Sequence, residues 1–315
     1  MVKNFLKNLK WKPTWVTHLG CLKSCAEYLG LKISDGWLFG GTGHAFILNI
    51  HKVVCPSSPT AWKSSVIFKL SRNLGIIVKG VYSYKTRENF REKQKEAFKL
   101  VRESIDKGLP CYGWELDIPE YYVIYGYDDT GYYYTGVSKG HKNWWELGLS
   151  EIGVLEVHCV KLGSPANDLK IIKDALLFAI EFTKPNSKWI YKDYYSGLKG
   201  YEVWIKALKE GKYDKWGAAY NAAVWCECRE KAVEFLREAR ERLSESINVL
   251  ELFREAEKYY RIVAENLKQV SKIFPFPPRK SIEKNEILKA VKYLEKARDS
   301  EGEALKILEE ILEYL

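Results

Sequence analysis

The sequence predicts an α+β domain followed by an all-α helical domain, and three features carry that prediction. Short runs rich in β-branched and aromatic residues, bounded by turn residues, are confined to the region before about residue 163. A long amphipathic stretch is interleaved with them, which makes the first part mixed rather than all-β. After Gly163-Ser164-Pro165 the strand signals stop, and apolar residues such as Ala232, Phe235, Leu236, Ala239 and Leu243 recur at three- and four-residue steps. The expected domains are therefore 1–163 and 164–315.

Taken in order, Gly20 to Gly30 reads as a loop followed by a short helix with Cys21 in its first turn. Strands are predicted at 45–50, 75–82, 109–114 and 121–126, with Asp128-Asp129-Thr130-Gly131 as a hairpin turn and a further strand at 151–160. Thr86 to Lys107 reads as a helix with Thr86 as N-cap, Asn89 where a capping box has Glu or Gln, and Gly108 closing it. The second part predicts helices at 166–183, 197–210, 214–243, 245–273 and 281–314. Phe274-Pro275-Phe276-Pro277-Pro278 separates the last two.

Of the 315 residues, 46% are hydrophobic and 29% charged, enough to bury two cores. No apolar run approaches the roughly 20 residues of a membrane helix, and the Lys-rich start lacks a signal-peptide core, so a cytoplasmic protein without a membrane partner is expected. The net charge of +9 lies mostly in residues 1–163, with 22 Lys and Arg against 15 Asp and Glu. Lys and Glu interleave too evenly for a nucleic-acid stripe, which leaves an anionic substrate or carrier. Gln occurs only at Gln94 and Gln269 and Met only at Met1, while Lys and Glu abound, a pattern met in thermophile proteins. The charged helix faces suit either solvent or a homodimer.

Seven scattered cysteines are unlike a disulfide framework and are expected to be reduced and mostly buried. Cys21 at a helix start is either a nucleophile favoured by unpaired N–H groups and the macrodipole, or a small buried hydrophobe. Cys25, one turn later, belongs to the core. A Cys21/Cys25/His18 cluster lacks a fourth ligand, and Cys226 and Cys228 point about 200° apart on a helix, so no metal is implied.

His44, between Gly43 and Ala45, is the preferred imidazole, its plain alternative being a histidine that satisfies a buried carbonyl. His51 falls on the other face of the predicted strand, and His18, three residues before Cys21, is held in reserve. Asp117 and Glu120 bracket Pro119 at a strand mouth, either to exchange a proton and orient His44 or to face water. Asp128 and Asp129 are turn residues. Trp37 suits an aromatic pocket, while Asn221 and Glu227, among Tyr220, Ala222 and Trp225, suit the wall of a substrate cleft.

Three segments in order carry a resemblance: Cys21 to Gly30 with Ser34 to Gly40; Gly43-His44-Ala45-Phe46; and Gly108-Leu109-Pro110 leading to Asp117 to Asp129. Over most of residues 15–160 the chain resembles the butirosin biosynthesis protein H N-terminal-like family. That family is akin to the papain-like, double-glycine leader peptidase fold, and its namesake moves an aminoacyl group from a carrier protein to an aminoglycoside amine. The resemblance implies a papain-like first domain with Cys21 as nucleophile. Those peptidases carry a histidine six residues before the Gly of a Gly-Tyr-Asp turn, and with Gly126 as that glycine the matching position here is Glu120.

The expected chemistry is cysteine-dependent acyl transfer or amide hydrolysis on a small-molecule or carrier-bound substrate, without cofactor. Cys21 would attack the carbonyl, backbone N–H groups would hold the oxyanion, and His44 with Glu120 would move the proton. The rival expectation is a non-catalytic small-molecule or peptide binding module on the same scaffold.

Overall fold

A computed structural model describes residues 3–185, 187–243 and 247–315. In chain order, β1 (Asn4–Phe5), α1 (Thr17–Tyr28), α2 (Asp35–Gly41), a 3-10 turn (His44–Phe46), β2 (Asn49–His51) and α3 (Ser65–Asn73) come first. Then follow β3 (Ile76–Tyr84), α4 (Phe90–Asp106), β4 (Cys111–Trp114), β5 (Tyr121–Tyr127), β6 (Gly131–Thr135), β7 (Lys139–Asn143) and β8 (Val154–Leu162). The remainder comprises α5 (Asp168–Thr183), β9 (Tyr194–Ser196), α6 (Gly197–Glu210), α7 (Lys215–Arg242), α8 (Ile247–Ile273) and α9 (Lys284–Tyr314).

The chain divides into two compact units, and the division is discontinuous. The first holds the residues up to Ile33 together with Gly75–Pro165, and the second holds Ser34–Leu74 with Ala166–Leu315. This differs from a boundary at 163/164, because the segment 34–74 groups with the later helices. Composition marks where strand signals end, but it carries no record of which earlier segment packs against the helices.

The first unit is an antiparallel seven-stranded sheet in the order β3-β8-β4-β5-β6-β7, with β1 added to the end of β5. Alternation along the strands gives it two faces. Tyr112, Tyr121, Glu156 and His158 lie on the face that α1 covers, whereas Cys111, Ile124, Cys159 and Tyr132 lie on the face that α4 covers. A shift in the β5–β6 register between Ile124 and Gly126 returns Tyr127 to the α4 face, where its hydroxyl donates to Asp106 at 2.6 Å. The hairpin turn is held as its residues predict: Asp128 accepts from the backbone of Thr130 and Gly131 at 2.8 and 3.0 Å.

Two local expectations change. Helix α4 starts at Phe90 rather than Thr86, because β3 runs on to Tyr84 and Arg87 N closes a turn onto the Tyr84 carbonyl. Gly108 does end it, at φ +74°. The predicted strand 45–50 is instead the 3-10 turn, launched by Gly43 at φ +74°, and then only the three residues of β2.

In the second unit the predicted helices appear as α5 to α9, although residues 245 and 246 of the predicted 245–273 helix lie outside the described residues. The unit is not all-α: β2 pairs with β9, with Asn49 opposite Ser196. Helix α2 lies close against α7, where a Cβ on Gly40 would fall 1.9 Å from the Phe235 ring. Arg229, fully buried on α7, ties the unit together. It pairs with Glu301 on α9 at 2.6 Å and donates to the carbonyls of Ala45 and Ile47, while Tyr201 on α6 donates to the same carboxylate at 2.7 Å.

Candidate functional site

Helix α1 begins at Thr17, four residues before Cys21, so Cys21 stands in the second turn, where its N–H belongs to the intrahelical ladder. The thiolate-favouring groups of a helix start are therefore presented by Thr17 and His18 rather than by Cys21. The side chain of Cys21 has no exposed surface, and burial, then Cys25 and Glu120, push its thiol well above the usual range, with only the Trp11 indole opposing. Glu120 belongs to the same unit and is half-buried. Its carboxylate accepts a very short hydrogen bond from the Thr17 hydroxyl, which in turn accepts from Tyr121 N at 3.1 Å. Thr17 thus occupies the position facing Glu120, and the sequence reading does not single it out because it places the helix start at Cys21, with Thr17 in the loop before it.

Beneath α1 a buried polar network runs across the sheet. His18 Nε2 lies 3.0 Å from the Tyr112 hydroxyl and its ring stacks on Tyr121 at 4.3 Å. Tyr121 donates to Glu156 at 3.1 Å, and Glu156 meets His158 Nε2 at 2.7 Å. Burial alone would raise the Glu156 carboxyl, yet the hydrogen bond and charge of His158, then His18 and Tyr121, hold it below its ordinary value. The His158 ring lies over Gly80 of β3, where a Cβ would come within 2.1 Å of Nδ1. None of Tyr112, Tyr121, Glu156 and His158 stands out in the sequence. Their one signal is the i, i+2 spacing of Glu156 and His158 along a strand, which places both on one face.

Of the remaining candidates, His44, Trp37, Asn221 and Glu227 belong to the second unit. His44 is buried against Phe39 and Trp62, with Nδ1 3.7 Å from the sulfur of Cys228. Burial and then the neighbouring Arg229 charge lower its pKa to about 4, so the ring is neutral. Trp37 is packed on Phe235 at 5.4 Å with the Arg242 guanidinium 4.0 Å above its ring. Asn221 is wholly buried; it donates to the Cys55 and Gly217 carbonyls at 3.1 and 2.8 Å and accepts from the Trp225 indole at 2.9 Å. Its polar atoms therefore brace α7 against the 55–56 turn rather than line a cleft. Glu227 is half-buried on the same helix. Asp117, in the first unit, is exposed and accepts from Ser138 at 2.6 Å.

Cys226 and Cys228 do diverge, the first toward the Ala264 carbonyl and the second toward His44. Among the described residues there is no group of three His, Cys, Asp or Glu side chains placed to hold a metal ion. An open cleft of about 580 Å³ beside α7 is lined by Ser34, Glu234, Arg237, Glu238, Glu241 and Arg242; Arg242 pairs with Glu238 at 2.6 Å, while Arg237 pairs with Glu257 and Glu234 with Lys231. No described helix is long and apolar enough to cross a membrane. Comparison of the chain with models of known protein families gives no match, and comparison with curated proteins gives none either.

Proposed function

We propose that the first unit is a papain-like scaffold working as a non-catalytic binding module for a peptide or small molecule, rather than as a cysteine acyltransferase or amidohydrolase. The observation that carries this reading is the sealed Cys21 thiol. It has no exposed surface, and burial together with Cys25 and Glu120 keeps it protonated, the reverse of what a nucleophile needs. The carboxylate standing where related peptidases carry a histidine is engaged by the Thr17 hydroxyl. A carboxylate beside sulfur holds the proton on rather than drawing it away.

The peptide form of the reading is supported by β3, which ends the sheet order and exposes Lys79, Tyr82 and Tyr84. Tyr82 and Tyr84 meet edge to face at 5.2 Å. An extended peptide adds to such an edge through main-chain hydrogen bonds, with aromatic rings supplying contact area.

The test is the rate at which iodoacetamide labels each cysteine between pH 5 and 9, read by intact mass in wild type and Cys21→Ala. Cys21 is expected to stay unlabelled until the protein unfolds. Selective labelling of Cys21 at low pH would overturn the binding reading and restore acyl transfer.

A further inference from the structure

We propose that Cys111 and Cys159 form a reversible dithiol–disulfide pair that bonds β4 to β8 on the α4 face of the sheet. The two residues are direct partners in the antiparallel register. Val160 N donates to the Pro110 carbonyl at 3.0 Å, so residues 110 and 160 make the hydrogen-bonded pair. Cys111 and Cys159 consequently occupy the adjacent non-hydrogen-bonded position, where side chains approach most closely. Cα atoms at such positions lie about 4.5 Å apart, inside the roughly 4.4–6.8 Å over which an S–S bond closes without moving the backbone.

A third thiol is near, and the pleat separates it from the pair. Cys25 comes from α1 on the opposite face, and its sulfur reaches the Cys111 backbone carbonyl at 3.9 Å. Tyr112 and His158, the neighbours of the two cysteines along their strands, point to that α1 face, which leaves Cys111 and Cys159 together on the other.

The environment divides the labour between the sulfurs. A hydrogen bond from Cys111 lowers the Cys159 thiol to about 7 against the effect of burial, with Ser104 and the charges of Lys161 and Lys79 assisting. Burial and then Cys159 push Cys111 well above the usual range. Cys159 is 7% exposed and Cys111 is fully enclosed, so the reactive sulfur is also the one nearer solvent.

With hydrogen peroxide as oxidant, the Cys159 thiolate attacks one oxygen, the O–O bond breaks, and a sulfenic acid and hydroxide result. Cys111 then loses its proton and attacks the sulfenic sulfur, forming the S–S bond and expelling the sulfenic oxygen as water. Two thiols and one peroxide become one disulfide and two waters, two electrons passing from sulfur to oxygen. A dithiol reductant reverses the change by exchange.

The experiment treats the folded full-length chain with hydrogen peroxide at pH 6 and pH 8, blocks remaining thiols, and maps peptides by mass without reduction. The expected product is two mass units lighter, carries a linked Cys111–Cys159 peptide, forms faster at pH 8, and reverts with dithiothreitol. Cys25→Ser should keep the link and Cys159→Ser should abolish it. Absence of the linked peptide from oxidised, folded wild type would overturn the proposal, as would a link to Cys25. The wild-type map decides the matter even where Cys159→Ser folds poorly.

Discussion

His44 shows how one buried side chain carries a pH signature. Its folded pKa of about 4 lies below the ordinary 6.5, so between those values the unfolded chain binds a proton that the folded chain refuses. Stability contributed by the neutral ring is complete above pH 6.5, falls as pH drops below it, and is gone once pH passes the folded value near 4. The shift corresponds to about 3 kcal/mol. Urea unfolding of wild type and His44→Leu at pH 7, 5.5 and 4.5 should show the wild type losing ground to the variant as pH falls. Parallel stability curves for the two proteins would mean that the ring titrates normally in the fold. The same residue marks the limit of sequence reading: the imidazole at a Gly-His turn was legible as special, but its partner Cys228 lies 184 positions away and no local pattern announces it. Cys21 was legible as a helix cysteine, whereas the helix start at Thr17 depends on Val16 turning the chain without any side-chain cap.

At the scale of elements, the sequence reads best where local forces decide. The helices of the later part carry their own apolar stripe, and their limits fall within a few residues of those expected. The hairpin at Asp128 is written by turn chemistry. Segment 45–50 reads as a strand because it is apolar, yet a fully buried run has no alternation to separate strand from turn. The close approach of β3 to β8 was equally hidden, since the reason for glycine at position 80 is an imidazole on another strand. Gly80→Ala should destabilise the protein by about 2 kcal/mol through overpacking. His158 is held by Glu156 at 2.7 Å and has little room to withdraw. A denaturant midpoint equal to wild type would show that the ring yields at no cost.

At the scale of the whole molecule, the discontinuous division makes a stronger demand than a boundary near 163 does. The segment 34–74 supplies the Ala45 and Ile47 carbonyls that Arg229 needs, the His44 ring beside Cys228, and the glycine-lined helix that accepts Phe235. A fragment spanning 164–315 keeps the Arg229–Glu301 pair but loses two of the acceptors around the guanidinium and opens its surroundings to water. Each of those two lost hydrogen bonds to a charged group is worth about 1.5–3 kcal/mol, and the α7 face stripped of α2 exposes Phe235 besides. That total is a large share of the stability of an ordinary domain, typically about 5–15 kcal/mol. The fragment 164–315 is therefore expected to melt broadly and at low temperature by circular dichroism. A chain covering 34–74 joined through a flexible linker to 166–315 should instead unfold in one sharp transition. Equal cooperativity in the two would show that segment 34–74 decorates a bundle that stands without it. A sharp transition in the linked chain alone would make that segment part of the helical core.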